Sequence, residues 1–92
     1  MNLGNLLKIF RCLRVIEREE FRIKSGFSQS YISAIENDKR KIISSNVLEK
    51  YAQICEVRPS VILRIQEDSE RYSWDKRKTI QKAGEALYQN HD

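Results

Sequence analysis

Residues 19–40, EEFRIKSGFSQSYISAIENDKR, read as two short helices separated by a glycine turn and followed by a basic segment. In the first helix Phe21 supplies the apolar side, with Ile23 as a second candidate. Gly26 can adopt the left-handed backbone conformation without steric cost, so the chain can reverse direction there. Phe27 then follows as an apolar anchor for the turn. This order of elements predicts a helix-turn-helix unit.

The second helix of this unit has one apolar side and one polar side. Ser28 precedes it in the position of an N-cap, and Ile32 and Ile35 recur at the spacing that buries one side of a helix. Taken alone, a polar side is most often a solvated helix surface. In combination with the cap, the glycine turn and the basic segment, it favours a helix that reads DNA. The polar side carries Gln29, Ser30, Ser33, Ala34 and Asn37.

The chemistry of that polar side suits the major groove of DNA. A helix in the groove reads base edges with side chains near its N-terminus, where Gln29 lies. Glutamine can bond adenine N6 and N7 together, serine hydroxyls can meet several base edges, and the Ala34 methyl can touch the thymine methyl group. The cations Lys39, Arg40 and Lys41 would meet phosphates, which fixes the register of the docked helix without specifying sequence.

From residue 3 to about residue 65, the sequence resembles the Cro and lambda-repressor-like helix-turn-helix family. The resemblance implies an all-α fold with a five-helix DNA-binding domain and sequence-specific binding to double-stranded DNA. The segments most typical of that family are KSGFS at 24–28, SYISAIE at 30–36, Lys39 with Arg40, and VRPSVIL at 57–63.

The resemblance also assigns roles to individual residues. Base contacts fall on Gln29, Ser30 and Ala34, with Ser33 adjacent. Arg11 and Glu36 match a pair that the family commonly uses as an internal salt bridge, so these two are expected to be structural. The expected phosphate contacts are Arg18, Ser28, Tyr31, Asn37, Lys39, Arg40 and Lys41.

Three features depart from the family pattern. The second helix of the family usually opens with a Ser or Thr cap and a glutamine, whereas this chain has Glu17 and Arg18. Arg18 can still meet phosphate, but Glu17 would be repelled by it. Arg22 stands where the family prefers alanine, so its stem must snorkel or the helix pair must splay. Val15 replaces the glycine that often ends the first helix.

Length and composition favour a small helical protein. The 92 residues suffice for a modest core, and no apolar run approaches the ~20 residues of a membrane span. Residues 1–67 hold 12 Lys and Arg against 8 Asp and Glu, whereas residues 68–92 hold 5 against 5, so the net charge of +4 lies in the first part. This distribution favours a polyanionic partner.

The residue types that carry enzyme or metal chemistry are sparse. Cys12 and Cys55 lack the paired spacing of a zinc site, so we expect them to be small core residues in a reducing cytoplasm. No nucleophile–base pair, Gly-rich phosphate loop or carboxylate cluster is evident. The sequence therefore predicts a cytoplasmic protein that is not an enzyme and needs no cofactor or metal.

The chain divides into a helix-turn-helix domain at 1–67 and a C-terminal extension at 68–92. The fifth helix is expected at 60–66, a polar connector DSERYS at 68–73, and a sixth helix, KRKTIQKAGEALYQ, at 76–89. The first helix carries more apolar surface than one small core needs. Its two apolar stripes are Leu3, Leu7 and Phe10, and Leu6, Ile9 and Leu13.

The surplus apolar surface could be covered by the extension or by a second copy of the chain. A homodimer is predicted, because two recognition helices about 34–36 Å apart on a pseudo-palindrome multiply specificity. The leading function is a transcriptional regulator, with repression favoured. Two alternatives remain: an antitoxin that binds a partner protein with its tail, and an adaptor that has lost DNA reading. The expected dimer contacts are Val61, Ile62, Ile65, Trp74, Ile80 and Leu87.

Overall fold

The computed structural model describes residues 1–37 and 42–89, and the regular structure of these residues is all helical. The expected all-α fold is therefore confirmed, with a further helix after the fifth. The helices are α1 Leu3–Leu13, α2 Arg18–Ser25, α3 Gln29–Glu36, α4 Ser45–Cys55, α5 Pro59–Arg71 and α6 Lys76–Gln89. None of the described helices is both long and apolar enough to cross a membrane.

Local sequence signals fix the helix starts. The side chains of Asn2, Ser28 and Ser44 each accept a hydrogen bond from a backbone N–H in the first turn of the helix that follows. Asp75 does the same for α6, since its carboxylate accepts from the Lys78 N–H at 2.8 Å. These caps satisfy donors that a helix start would otherwise leave unpaired.

Helix α1 lies at the centre of the core and contacts α3, α4, α5 and α6. Most of both apolar stripes is therefore buried, with Leu6 and Leu7 at 0 % exposure, whereas Leu3 and Leu13 near the helix ends are half-buried. At Gly4 the helix passes so close to the Ile35 carbonyl that a Cβ atom would not fit. Part of the apolar surplus of α1 is thus covered within the chain, by α6.

The turn between α2 and α3 forms as predicted at Gly26, which has a φ of 77° and donates its N–H to the Arg22 carbonyl at 3.0 Å. Phe21 is fully buried against the Tyr51 ring, with centroids 4.2 Å apart. Ile23 is 68 % exposed, so it is not a core residue of α2. It follows Phe21 by two residues, which is about 200° of helical rotation, and so it faces away from the core.

Helix α5 extends beyond its expected end and continues to Arg71, through most of the predicted connector 68–73. Ser69 explains why a polar stretch can remain helical. It is 1 % exposed, donates its hydroxyl to the Gln66 carbonyl at 2.7 Å and accepts from the amino group of Met1 at 3.4 Å. The predicted boundary at 67 therefore falls inside α5 and not at a helix end.

Three of the residues expected at the dimer contact are buried in the core of the protomer. Ile62 is fully buried, and Ile65 and Leu87 are each 6 % exposed. The cause is the packing of α6 on α1 and α5, which brings Leu87 of α6 into the same core as Ile62 and Ile65 of α5. In this fold they are not accessible to a second copy. Of the six expected dimer contacts, Val61 and Trp74 are half-buried and Ile80 is exposed. Only these three remain accessible to a second copy of the chain.

Candidate nucleic-acid interface

Helix α3 presents its polar side outward from a firmly packed base. Ile32 and Ile35 are both at 0 % exposure, which anchors the helix in the core. The predicted base-contacting residues lie together on the opposite side. Gln29 and Ser30 are exposed, and Ser33 and Ala34 are half-buried.

Hydrogen bonds divide these side chains into engaged and available groups. Ser28 Oγ accepts from the Tyr31 N–H at 3.1 Å, so this oxygen serves as the helix cap. Asn37 Nδ2 donates to Ser33 Oγ at 2.9 Å, which orients the amide at the end of the helix. The Gln29 carboxamide has no hydrogen bond to another described residue. It is the polar group of α3 most available for a base edge.

A buried ionic network holds the end of α3. The Glu36 carboxylate, at 0 % exposure, accepts from Arg11 Nε and Nη2 at 2.8 Å each. Tyr51 Oη donates to the same carboxylate at 2.6 Å. The predicted internal pair of Arg11 and Glu36 is therefore confirmed. The hydrogen bond to Glu36 raises the pKa of Arg11 above its ordinary value.

The network joins three helices and one loop around the recognition helix. Arg11 belongs to α1, Glu36 to α3 and Tyr51 to α4. Arg11 also donates from Nη1 to the Ile16 carbonyl at 2.7 Å, which fixes the loop between α1 and α2. Sequence reasoning did not find Tyr51, because an aromatic residue at helical spacing is indistinguishable from an ordinary core residue. The bidentate geometry means that α3 cannot rotate without breaking charged hydrogen bonds.

Helix α2 accommodates its unusual residues at the surface. Arg22 pairs with Glu19 at 2.6 Å on the exposed side, so it does not enter the packing between α2 and α3. This hydrogen bond lowers the pKa of Glu19. Arg18 has its Nε 3.8 Å from the Glu36 carboxylate and a side chain 37 % exposed. Glu17 occupies the cap position without a side-chain hydrogen bond.

The remaining predicted phosphate contacts lie in the first turn of α3, at its end and beyond it. Asn37 is exposed, and Tyr31 is half-buried with its ring edge against Phe27, at a centroid distance of 5.1 Å. Lys39, Arg40 and Lys41 lie outside the described residues. The described members of the set therefore flank α3 at its start and its end.

One of the two cysteines departs from the expectation that both are core residues. Cys55 is fully buried, as predicted, and burial raises its pKa to about 11. Cys12 is exposed and so is not a core residue. It lies on the side of α1 that faces a cavity rather than the interior. Within residues 1–37 and 42–89, no group of three or more His, Cys, Asp or Glu is placed to hold a metal ion.

Comparison with known proteins agrees with this geometry. A family model described as Helix-turn-helix matches residues 7–62, which is more than half of the chain. The matched segment contains the α2–α3 unit and every member of the buried ionic network. No curated protein and no solved structure gives a significant match. The chain belongs to the Cro/lambda-repressor-like (XRE-type) helix-turn-helix family and is a DNA-binding regulator of that type.

Proposed function

We propose that the protein is a transcriptional repressor that binds a pseudo-palindromic operator as a homodimer. One observation carries the proposal: the polar side of α3 faces outward while its end is held by the buried pair of Arg11 and Glu36. A rigidly held helix can present the same side chains to every operator, which sequence-specific reading requires. Repression is favoured because occupation of an operator is sufficient for it, whereas activation needs a further contact with the transcription machinery.

In this proposal Gln29 reads an adenine, and Ser30, Ser33 and Ala34 contact neighbouring base edges. Gln29 supports this role through its exposed carboxamide at the start of α3. The phosphate contacts come from Arg18, Ser28, Tyr31, Asn37, Lys39, Arg40 and Lys41. Because DNA binding requires access to the chromosome or a plasmid, we infer a cytoplasmic location.

The base-reading assignment is tested by comparing two single substitutions. Gln29→Ala should weaken the cognate operator by ~1–3 kcal/mol and relax the preference at one base pair. Lys39→Ala should weaken cognate and random DNA alike and reduce the salt dependence of binding. Both are measured by fluorescence anisotropy over a range of salt concentrations. Equal losses of Gln29→Ala on cognate and random duplexes would refute the assignment of Gln29.

The proposed dimer surface combines the outer side of α5 with the start of the extension, and it leaves out Ile80, which lines a separate cavity between α1 and α6. Val61 and Trp74 line one cavity of about 410 Å³ between α5 and α6, and Leu63, which is 43 % exposed, lines a neighbouring cavity together with Val61. Leu63 was not among the dimer contacts expected from the sequence. The signal was present, because three successive apolar residues of one helix, Val61, Ile62 and Leu63, cannot all face the same core. These apolar side chains lie among the charged residues Arg64, Asp68, Lys82 and Glu85, and such a mixed surface is suited to a second copy of the same helix.

The dimer is tested with a charge placed on this strip. Leu63→Glu should shift the protein from dimer to monomer in sedimentation velocity, because association would bury an unpaired carboxylate. Ile23→Glu is the matched control, since Ile23 is 68 % exposed on α2 and lies outside the proposed contact. A dimer that persists in Leu63→Glu would exclude this surface. The antitoxin alternative gains no support from α6, because that helix packs on α1 and α5 of its own chain.

The first experiment is selection of binding sites from a random duplex library. Enrichment of an inverted repeat by the wild-type protein would support a dimeric, sequence-specific regulator, and its half-site spacing would give the distance between the two α3 helices. A folded protein that enriches no sequence would refute the proposed function. Transcription in vitro from a promoter that contains the selected site then separates repression from activation.

A further inference from the structure

A second cationic surface lies beside the end of the recognition helix. A cavity of about 400 Å³ opens between the middle of α1, the end of α3 and the start of α6. Lys8 of α1 and Lys76 of α6 both line its rim, together with Asn5 and Asn37. These residues are far apart in sequence, and only the packing of α6 on α1 brings them together.

The two lysines have no counter-charge in the described part of the chain. The ammonium group of neither Lys8 nor Lys76 forms an ion pair or a hydrogen bond with another described residue. The carboxylate of Glu36 also borders the cavity, but it is already bonded to Arg11 and Tyr51. Two ammonium groups in one rim repel each other, so an anion placed between them would be stabilised.

The position of Lys76 is itself unfavourable without an anionic partner. It is the first residue of α6, where the helix dipole presents its positive end, and the first turn of α6 contains no acidic side chain. A cation there lowers the stability of the helix unless something compensates it. The Asp75 cap offsets part of this cost through its bond to the Lys78 N–H.

The location of the cavity indicates which anion it would meet. Asn37 lines the same cavity and stands next to Ser33 at the end of the polar side of α3. A DNA molecule docked on α3 would therefore bring its sugar–phosphate backbone towards this rim. A basic side chain in such a position contacts phosphate and adds affinity that does not depend on sequence.

We propose that Lys8 and Lys76 contact phosphates of the DNA that flanks the base pairs read by α3, so that α6 enlarges the DNA-binding surface. Helix α6 lies outside the matched residues 7–62, so this contact belongs to the extension and not to the matched segment. The inference rests on the proposed function, because it requires a duplex docked on α3. It gives the C-terminal extension a role in binding in addition to its role in covering the core.

The test compares two double variants of equal charge. Lys8→Gln/Lys76→Gln removes both rim cations. Arg58→Gln/Lys78→Gln is the control, because Arg58 lines a separate cavity where α4 meets α5, and Lys78 lies about 200° around α6 from Lys76. Both variants are titrated by fluorescence anisotropy against the selected operator, once with long flanks and once trimmed to the half-sites.

On the long duplex, the two lost contacts should lower the slope of log K against log salt by about 1.8 for each protomer, which should weaken binding at 0.1 M salt by roughly 60-fold for each protomer of the dimer. The control variant should keep the wild-type slope to within the error. On the trimmed duplex, wild type and Lys8→Gln/Lys76→Gln should bind alike, because the flanking phosphates are gone. An unchanged slope on the long duplex, or an equal change in the control, would overturn the proposal.

Cys12 provides a second measurement that does not depend on affinity. Its thiol is exposed and lines the same cavity, whereas Cys55 is buried and serves as an internal control. Saturating long duplex should slow the alkylation of Cys12 by iodoacetamide, and the trimmed duplex should not. Equal alkylation rates with and without long duplex would refute the placement of DNA over the cavity. A wild-type protein that prefers no sequence would instead show that the proposed function fails.

Discussion

The buried carboxylate of Glu36 makes the sharpest prediction about stability. Its two oxygens accept three hydrogen bonds. Two come from the charged guanidinium of Arg11 at 2.8 Å, and one comes from the hydroxyl of Tyr51 at 2.6 Å. Glu36→Gln keeps the shape but removes the charge and turns one acceptor into an amide donor. The Arg11 guanidinium, 5 % exposed, then stays buried without its counter-charge.

The expected cost is ~3–5 kcal/mol, the range for breaking one side of a buried ion pair. A domain of this length is stable by about 5–14 kcal/mol, so the variant should fold at 25 °C with much of its margin lost. Tyr51→Phe removes only one hydrogen bond to the carboxylate and should cost less, ~1.5–3 kcal/mol. Arg11→Met/Glu36→Met removes both charges and should recover part of the loss of either single substitution.

The assay is urea unfolding followed by far-UV circular dichroism, with the free energy of unfolding extrapolated to water. Glu67→Gln is the matched control, because Glu67 pairs with Arg71 at 2.9 Å on the exposed surface of α5, where such pairs contribute little. A loss of less than about 1 kcal/mol in Glu36→Gln, or an equal effect in Glu67→Gln, would refute the structural role of the network.

Three further predictions concern packing, backbone strain and pH, each read from urea unfolding. Gly4→Ala should cost ~1–3 kcal/mol because a Cβ would strike the Ile35 carbonyl, whereas Gly84→Ala, with open space around it, should gain ~0.5–1 kcal/mol. Val15 has a φ of 57°, so Val15→Gly should gain ~0.5–1 kcal/mol, and Val15→Ala, which keeps a Cβ, should gain less. Burial raises the pKa of Cys55 from 9.0 to about 11, and burial with the bond to Glu36 raises that of Tyr51 above 10.0. Both groups lose their proton at a lower pH in the unfolded chain than in the folded protein. The free energy of unfolding should therefore be constant up to pH 9 and fall as the pH rises further. In Cys55→Ala the first part of this fall should be smaller, because the thiol that titrates first is gone. A higher stability of Gly4→Ala would contradict the close approach at Gly4, and a lower stability of Val15→Gly would contradict the strain at Val15. A stability that does not change between pH 9 and 11 would contradict the raised pKa values.

The sequence by itself predicted the recognition unit, because the signals that shape it are local. A cap, a glycine and two isoleucines lie within a few residues of one another, and each acts on its own helix or turn. Ser28 caps α3, Gly26 takes the left-handed conformation, and Ile32 and Ile35 are fully buried. The polar side of α3 could be predicted from helical periodicity, because residues opposite the buried isoleucines must face outward.

The tertiary structure alone decided which apolar residues meet which partner. Helical periodicity shows that a helix has an apolar side, but it does not show what covers that side. Ile62 and Leu87 were therefore expected at a dimer contact, but the packing of α6, which carries Leu87, on α1 and α5 buries both in the protomer. The position of Lys8 beside Lys76 is decided in the same way, because residues so far apart in the chain meet only after α6 packs on α1. Local chemistry determines the helices, and the fold decides which of their surfaces remain free to bind.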